Sequence, residues 1–476
     1  MTSNNSRMKH PNLGRRAIVV GGSIGGLLAA RVLSDFFDDV VVFEKDPPEE
    51  SMEAPFKPRK SVPQGHHLHI LLSGGEAVLS RLFPGIDREL VKRGAIKADF
   101  GRDIRWYLNS RWFPRFDSGL VVFLQSRPLL ETVIRRRVAR IANIRMAYGH
   151  RVCDYCFTPQ SNMVDGVLLI DKFEGKTAHH ADFIVDATGR GSLLPKWLEK
   201  KGYGAPKETL VGIDLAYSTT FFHRGTEPHT GAAMTACHPD PPNELRGGVA
   251  IAVEDDRWQV TLAGYHGDHP PTDENGFKEY AAGLPIPQIY EMIRPLKPVE
   301  PIRRYHFPAS MRRHFERMSR LPDHIIAIGD AMCSLNPAFG QGITGCALEA
   351  ALLHKELSSA AERRASLTGL ARRYFKGAAK IIDEPWELSA GENFKYPATT
   401  GRRPLFLPLM QWYRDRILSS SDPAVIYQFY RVMHLMDSRY SFWSPRLMTR
   451  VLMSQPDSSA PTLEPVFDEA LERFRT

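Results

Sequence analysis

The sequence of 476 residues predicts an α/β protein with a buried parallel sheet, an inserted antiparallel sheet and a helical carboxyl-terminal region. Three observations carry this prediction. Short, wholly apolar runs such as 17–20 and 325–328 are typical of parallel strands that are covered on both faces. Strand-like stretches between 209 and 300 alternate with Pro- and Gly-rich turns, and helical periodicity with many aromatic residues follows 370. The length predicts two or three interlocked domains.

The amino-terminal elements form a strand–helix–strand unit joined by a glycine-rich turn. Apolar strand 17–20 leads into a turn of the form G-x-S-x-x-G, and a helix is predicted over 25–35. Gly21 makes the tight turn, Gly26 lets the helix pack closely on the strand, and the small Ser23 leaves room for a phosphate. The predicted phosphate-binding residues are Gly21, Gly22, Ser23, Ile24, Gly25 and Gly26. This unit therefore predicts a bound dinucleotide.

An acidic residue ends the second strand of this unit. Strand 40–43 is followed by Glu44, which lies 18 residues after Gly26. At that place a carboxylate accepts hydrogen bonds from ribose hydroxyls. Glu44 and the adjacent Lys45 are therefore predicted to bind the cofactor.

The next elements follow from periodicity and turn residues. Asn109 and Ser110 predict a hairpin turn between two alternating strands. In chain order, the predicted elements are a loop over 46–63, a helix ending near 82, strands over 103–123, a helix over 127–141, strand 183–185, strands 215–222 and 258–265, strand 325–328 and a helix from 342.

Charge and targeting signals exclude several classes of protein. The net charge is +8, but the basic residues are dispersed and accompany no nucleic-acid motif, so the excess is expected to favour cofactor phosphates rather than nucleic acid. The segment 1–16 lacks the apolar core of a signal peptide, and no apolar run reaches about 18 residues. These features predict a cytoplasmic protein.

Neither cysteines nor histidines predict a metal site. The five cysteines include one C-x-x-C pair, Cys153 and Cys156, but no second pair that would complete a zinc site. Three histidines, His66, His67 and His69, lie within four residues, yet no carboxylate or cysteine cluster is near them in sequence.

Two later segments carry a family resemblance. Strand 325–328 ends in Gly329-Asp330, and the stretch Asn336-Pro337-Ala338-Phe339-Gly340-Gln341-Gly342 leads into a helix. Together with the glycine turn, they resemble the class A FAD-dependent monooxygenases, the family of para-hydroxybenzoate hydroxylase and squalene epoxidase. The Pro-Gln-Gly-x-His-x-His stretch from Pro63 is nearest the polyether-epoxidase-like branch. The resemblance implies a Rossmann-like FAD-binding domain (GR2 type) with an inserted antiparallel β-sheet substrate domain.

This resemblance assigns roles to single residues. It places the Asp330 carboxylate on the flavin ribityl chain and the Pro337–Gly342 backbone against the flavin ring. A helix that begins near Gly342 aims its positive end at the ring, which agrees with the electrostatics of a reduced flavin. The further residues assigned to the cofactor are Arg127, Val152, Asp186, Asp330, Pro337, Gly340, Gln341 and Gly342. For Asp186, a simple turn cap is the alternative.

No catalytic residue is assigned from the sequence. His67 or His69 is the candidate for the basic residue that, in the family, reaches the flavin from this segment. A surface loop that merely contains histidines is the alternative.

The implied activity is hydroxylation or epoxidation of a hydrophobic isoprenoid, polyketide or aromatic substrate. NAD(P)H reduces FAD, and O2 then forms a C4a-hydroperoxide that delivers oxygen. A reductase of the geranylgeranyl-reductase type is the alternative. A halogenase is disfavoured, because strand 256–262 lacks the second Trp of the halogenase motif.

Several partners stay open at the level of sequence. No second dinucleotide fingerprint follows residue 200, so either NADH or NADPH binds transiently or a separate flavin reductase acts. The basic, aromatic carboxyl-terminal helices leave open a peripheral membrane contact. The predicted FAD-binding domain comprises 1–100, 120–208 and 301–365; 101–119 and 209–300 form the substrate domain, and 366–476 the helical region.

Overall fold

A computed structural model describes residues 12–48, 56–170, 175–225 and 231–454. The strands are β1 (Gly14–Val20), β2 (Phe37–Glu44), β3 (Ile70–Leu71), β4 (Ile96–Asp99), β5 (Ile104–Leu108), β6 (Arg111–Trp112), β7 (Val121–Leu124), β8 (Ile144–Tyr148), β9 (Arg151–Thr158), β10 (Met163–Ile170), β11 (Lys176–His180), β12 (Phe183–Asp186), β13 (Glu208–His223), β14 (Met234–Cys237), β15 (Arg246–Val253), β16 (Arg257–Gly264), β17 (Arg303–Arg313), β18 (Ile325–Ala327) and β19 (Cys333–Ser334). The helices are α1 (Ile24–Leu33), α2 (Ser73–Leu82), α3 (Ile86–Lys92), α4 (Phe100–Asp103), α5 (Arg127–Ala139), α6 (Leu194–Lys200), α7 (Glu274–Ala282), α8 (Gln288–Ile293), α9 (Gly342–Glu362), α10 (Leu370–Asn393), α11 (Leu407–Leu418), α12 (Pro423–Met433) and α13 (Pro445–Met453).

A five-stranded parallel sheet forms the centre of the molecule, in the order β18-β12-β1-β2-β8. Its middle strands are apolar on both faces because helices cover them, and α1 packs against α5 and α9. Val20 pairs with Asp186, and Asp186 with Ala327. The carboxyl ends of these strands therefore meet at one edge, where ligands bind in open α/β sheets.

Predicted elements of both large sheets are present with small shifts of their ends. Strand β1 begins at Gly14 rather than at 17, and α1 runs over Ile24–Leu33 rather than 25–35. The predicted hairpin turn at Asn109 and Ser110 joins β5 to β6, and both residues have a φ of 55°. A left-handed pair of this kind matches the twist of a tight hairpin.

The second large sheet has eight strands in the order β19-β17-β13-β16-β15-β14-β5-β6. It is antiparallel except for the pair β14 and β5, which is parallel. Strand β5 comes from a separate part of the chain, at least 100 positions before the other central strands of this sheet. The sheet also extends past the predicted boundary at residue 300, since β17 is one of its longest strands. The two halves thus share the segment after 300.

Two smaller sheets and the carboxyl-terminal helices complete the fold. Strands β9, β10 and β11 form one antiparallel sheet, and β3, β7 and β4 form another. Helices α10 to α12 pack beside the eight-stranded sheet, with Phe429 and Tyr430 in a core that also contains Trp106. Within the described residues, no helix combines the length and the apolar character needed to cross a membrane.

Candidate active site

One cavity of about 570 Å³ runs from the glycine turn to the carboxyl-terminal helices. Its lining includes Ser23 of the glycine turn, Asp330 after β18 and Phe429 of α12. Predicted cofactor residues that line it are Ser23, Ile24, Gly25, Lys45, Arg127, Asp330, Pro337, Gly340 and Gly342. The structure therefore brings together residues that are more than 300 positions apart in the chain.

The glycine turn has the geometry that its sequence predicts. Gly21 has a φ of +100°, which a glycine adopts without strain. A Cβ at Gly26 would lie 1.9 Å from the carbonyl oxygen of Gly21, so α1 approaches β1 more closely than any side chain allows. No side chain caps the start of α1 among the described residues. The first N–H groups of this helix therefore face the cavity with their hydrogen-bonding capacity available for an anion.

Glu44 is buried at the end of β2, and its carboxylate is hydrogen-bonded to the glycine turn. Its Oε2 accepts a hydrogen bond from the Gly22 N–H at 2.9 Å, and its Oε1 accepts one from the Asp46 N–H at 3.0 Å. The same Oε2 lies 2.8 Å from Nη1 of Arg59. Arg59 thus lies across the glycine turn and brings a positive charge to the predicted pyrophosphate position.

Glu131 is the centre of a buried charge cluster that the sequence analysis did not assign. Arg127, Arg135 and Arg59 each contact its carboxylate, at 3.0, 2.7 and 2.7 Å. Burial by itself raises the pKa of Glu131, but the three arginines outweigh burial and lower the pKa to about 2. The spacing of Arg127, Glu131 and Arg135 at four-residue intervals was the available sequence signal.

Ser23 connects this cluster to the turn. Its Oγ accepts a hydrogen bond from Nη2 of Arg127 at 3.0 Å and donates one to Oε2 of Glu131 at 3.2 Å. For Ser23→Gly we expect FAD affinity to fall less than about 10-fold, because Arg127 keeps its ion pair with Glu131 and only a modest hydrogen bond is lost. Fluorescence titration of the apoprotein with FAD measures this. A loss above 100-fold would mean that the hydroxyl itself binds the cofactor.

Asp330 and the start of α9 lie opposite the glycine turn. The Asp330 side chain opens into the cavity, and burial raises its pKa while Arg127 and Arg190 oppose that rise. Gly340 has a φ of +66°, and α9 begins at Gly342 without a side-chain cap among the described residues. Two uncapped helix starts therefore face one cavity, which suits a ligand with two separated electron-rich groups.

Seven of the predicted cofactor residues do not line the cavity: Gly21, Gly22, Gly26, Glu44, Val152, Asp186 and Gln341. The Asp186 side chain is fully buried and accepts hydrogen bonds from Tyr155, Thr188 and Ser192, an arrangement that favours the turn-cap alternative. Val152 pairs with Leu169 in the small β9–β10 sheet. The buried Gln341 donates a hydrogen bond to the Met433 carbonyl oxygen at 3.0 Å. This bond connects the segment 336–341, which precedes α9, to α12. Direct cofactor contact stays a prediction for these residues.

The two candidate histidines have different surroundings. His69 lines the cavity near Arg127, and burial together with that charge lowers its pKa to about 3. The buried His67 points its Nδ1 at Thr219 Oγ1, 2.8 Å away, and its ring packs edge-on against Tyr217. Of the two, only His69 reaches the cavity.

The far part of the cavity is an aromatic chamber with two polar groups that sequence analysis missed. Its apolar wall consists of Phe100, Trp106, Leu108, Met234, Phe339, Leu388, Leu418, Phe429 and Met433. His238 lies between Trp106 and Phe339, and burial lowers its pKa to about 4, so it is neutral at pH 7. His434 is fully buried, and its Nε2 has no hydrogen-bond partner among the described residues. No motif around either histidine marks it in the sequence.

The residues present fit FAD. The cavity offers a glycine cradle, two helix starts and a carboxylate, and it continues beyond them into an apolar chamber that a cofactor alone would not require. When the sequence is compared with known proteins, no protein-family model matches. Protein Rv3254 of Mycobacterium tuberculosis (strain ATCC 25618 / H37Rv) is 31% identical over 457 residues, covering 92% of this chain and 93% of that protein. The chain belongs to the family of Rv3254.

Solved structures show the fold of this chain. The flavin-dependent brominase Bmp2 superposes with a TM-score of 0.65 and 13% identity, over 91% of this chain and 96% of the brominase. PqsL of Pseudomonas aeruginosa, a probable FAD-dependent monooxygenase, superposes with a TM-score of 0.60 and 15% identity, over 80% and 97% of the two chains. The chain has the mixed α/β fold of the flavin-dependent monooxygenases, and the predicted resemblance is confirmed at the level of fold.

Glu349 makes the stability of the folded protein depend on pH. It is buried in α9 and accepts a hydrogen bond from the Gly329 N–H at 2.6 Å. Burial raises its pKa from 4.5 to about 8, against the effect of that hydrogen bond. Between these two values the unfolded chain has released the proton and the folded chain has kept it. Stability therefore falls as pH rises through this window.

A side chain at position 349 that cannot be deprotonated should reduce this dependence of the free energy of unfolding on pH. We expect Glu349→Gln to unfold with a shallower pH dependence between pH 5 and 8, and to exceed the wild type at pH 8 by roughly 1–3 kcal/mol. Urea denaturation at both pH values measures this. Glu362→Gln, at the exposed end of the same helix, is the control and should match the wild type. An unchanged slope in Glu349→Gln would contradict the assignment.

Proposed function

We propose that the protein is an FAD-dependent monooxygenase that hydroxylates or epoxidises a hydrophobic organic substrate. The observation that carries the proposal is the continuity of the cavity, which joins the glycine turn and Asp330 to an aromatic chamber without an intervening wall. A cofactor and an apolar molecule would meet inside one continuous cavity. That arrangement suits transfer of an oxygen atom between them.

The chain's own residues would bind, orient and shield. FAD, when bound, would accept a hydride from NAD(P)H and pass oxygen from O2 to the substrate. The helix starts at Ile24 and Gly342 would supply N–H groups to its phosphates and ring, and Arg127 would add a positive charge. The chamber residues would exclude water from the reacting atoms.

The chamber favours a hydrophobic substrate with a hydrogen-bonding group. Phe100, Trp106 and Phe429 supply flat apolar faces suited to an aromatic, polyketide or isoprenoid skeleton. The neutral His238 would bring a polar ring atom against the ligand, which a pure hydrocarbon could not hydrogen-bond. A hydroxyl or carbonyl on the substrate would satisfy it.

Isotopic labelling of the oxygen atom that enters the product tests the proposal and separates it from its alternatives. Purified holoprotein is mixed with NADH or NADPH and a panel of apolar phenols, polyketides and polyprenols under ¹⁸O₂. The proposal expects substrate-dependent O2 consumption and one labelled oxygen in the product. A saturated product formed without oxygen would identify a reductase, and a brominated product in the presence of bromide would identify a halogenase. Either result would overturn the proposal.

The source of electrons is tested in the same preparation. Anaerobic bleaching of the flavin absorbance by NADH or NADPH would show that the protein accepts electrons directly. We propose direct reduction, with the nicotinamide bound transiently, because the cavity opens beside the exposed Lys45 and near Arg190. Bleaching only after addition of a flavin reductase would replace this by the two-protein scheme.

His238 should contribute to substrate binding. We expect His238→Ala to raise KM about 10-fold or more while kcat changes less, because one buried hydrogen bond to the substrate is lost. Steady-state kinetics with the best substrate measures both constants. His180→Ala, an exposed position on β11, is the control. Equal KM values in wild type and His238→Ala would remove His238 from the substrate site.

We further propose that the carboxyl-terminal helices touch an anionic membrane surface. Phe406 and Trp412 are 71% and 51% exposed, and Val451 is the sole buried residue of the described helix α13. The exposed Arg402 and Arg403 precede Phe406 closely in the chain, and basic residues next to exposed apolar side chains are typical of interfacial contacts. Sedimentation with phosphatidylglycerol vesicles should capture the wild type more than Phe406→Ser, and phosphatidylcholine vesicles should capture neither. Equal sedimentation would exclude the contact.

A further inference from the structure

Three side chains with no part in the proposed oxygenation meet on the outside of the eight-stranded sheet. Nε2 of His306 lies 2.8 Å from Oδ1 of Asp214, and Nε2 of His269 lies 3.3 Å from the same oxygen. All three ligand atoms lie within 4.8 Å of one another. The cluster is partly open to solvent, because His306 is exposed while Asp214 and His269 are half-buried.

The fold explains how these residues meet. Asp214 lies in β13, where the register with β17 shifts between Gly212 and Leu215, and it has a φ of +40°. His306 lies in β17 between two residues that line the cavity, so alternation along the strand directs it to the opposite face. His269 comes from the loop after β16. The cluster therefore joins two strands and a loop behind the cavity wall.

We propose that Asp214, His269 and His306 bind a zinc ion, with water completing its coordination. Zinc takes imidazole nitrogens and carboxylate oxygens at about 2.0–2.2 Å in a tetrahedron, which separates neighbouring ligand atoms by about 3.3 Å. The separations of 2.8 and 3.3 Å from Asp214 Oδ1 are close to that value. Small side-chain rotations would place the ion between the three atoms.

The ion would have a structural role. It would tie β13 and β17 to the loop that begins at Tyr265, and Tyr265, Tyr217 and Tyr305 all line the cavity from the inner side. The sequence analysis predicted no metal site. Positions 214, 269 and 306 are too far apart in the chain to form a recognisable ligand spacing.

Zinc binding by tag-free holoprotein tests the proposal. The protein is treated with EDTA, exchanged into metal-free buffer and titrated with Zn²⁺ against a chromophoric chelator. We expect one zinc per chain, and at a zinc concentration 100-fold above Kd a rise in Tm of about 2–3 °C. Because Cys153 and Cys156 are free thiols that also attract zinc, the titration is run in a Cys153→Ser, Cys156→Ser background.

Two variants remove a ligand with little change in shape. His306→Gln keeps an amide donor for Asp214, and Asp214→Asn suits the left-handed backbone, which Asn adopts readily. Each should weaken zinc binding at least about 100-fold, since loss of even an outer-shell partner costs 10–100-fold. His223→Gln, an exposed position on the same strand, is the control.

The metal-free alternative is a hydrogen-bonded cluster in which His306 donates to the Asp214 carboxylate at 2.8 Å and His269 donates to the Asp214 main-chain carbonyl oxygen at 3.1 Å. In that case the wild type would bind no stoichiometric zinc, or His306→Gln would bind it as tightly as the control. Either result overturns the proposal. Retained folding of both variants without zinc, checked by circular dichroism, excludes general unfolding as the cause of a loss.

Discussion

Glu131→Gln is expected to destabilise the protein by about 3–5 kcal/mol, since removing one partner of a buried ion pair leaves the remaining charge unpaired. Here Arg127 and Arg135, whose side chains are 8 and 4% exposed, lose this carboxylate, while Arg59 keeps its ion pairs with Glu44 and Asp46. Gln preserves the volume, so the change isolates charge from packing. Urea denaturation of the apoprotein at pH 7 measures the free energy of unfolding.

Bound FAD should restore part of the stability that Glu131→Gln loses. A pyrophosphate over the glycine turn brings negative charge to Arg127 and Arg59, so the loss should be smaller in holoprotein than in apoprotein. Glu89→Gln is the matched control, because Glu89 also pairs with two arginines, Arg137 and Arg93, but at a partly exposed site. That change should cost less than about 1 kcal/mol. Equal losses in the two variants would contradict the role given to burial.

Gly26→Ala is expected to prevent stable folding of the cofactor end, at a cost of about 3 kcal/mol or more. The new Cβ would lie 1.9 Å from the Gly21 carbonyl oxygen. Because the backbone fixes the positions of both atoms, no rotamer change relieves the contact. Helix α1 would have to move away from β1 and spoil the turn. Soluble yield, Tm and FAD content of the purified variant measure the effect.

Gly25→Ala separates folding from cofactor binding. Its Cβ would meet Cys346 Sγ at 3.7 Å, an ordinary contact, but it would project at the cavity. Tm of the apoprotein should stay within a few degrees of the wild type while FAD affinity falls. Gly345→Ala, with no atom within 4 Å of the new Cβ, should leave both unchanged. A folded Gly26→Ala with wild-type FAD content would show that the turn is not closely packed.

Local patterns predicted the parts of the site that depend on neighbouring residues. The glycine turn, Glu44 at the strand end and the helix start at Gly342 all follow from short-range rules on backbone shape and helix termini. The turn at Asn109 and Ser110 was predictable for the same reason. The two turns and the helix start are each determined by a short stretch of chain, whereas Glu44 was recognised by its spacing of 18 residues from Gly26.

Long-range pairings were not predictable. Arg59 meets Glu131 across 72 positions, and the chamber places His238 beside Phe339, so nothing in either local stretch indicates the partner. Asp186 shows the converse, because the strand that it ends was predicted correctly, while its carboxylate is occupied by Tyr155 and Ser192. A single sequence gives the place of such a residue more readily than the bonds it makes.

The order of the cavity walls along the chain has a consequence for biosynthesis. The cofactor end is assembled from segments that are all translated once α9 is complete, whereas Leu388, Phe429 and His434 of the chamber come later. At ordinary elongation rates the ribosome needs on the order of 10 s to add these last segments. A nascent chain would therefore contain the whole cofactor end before the wall of the substrate chamber is complete.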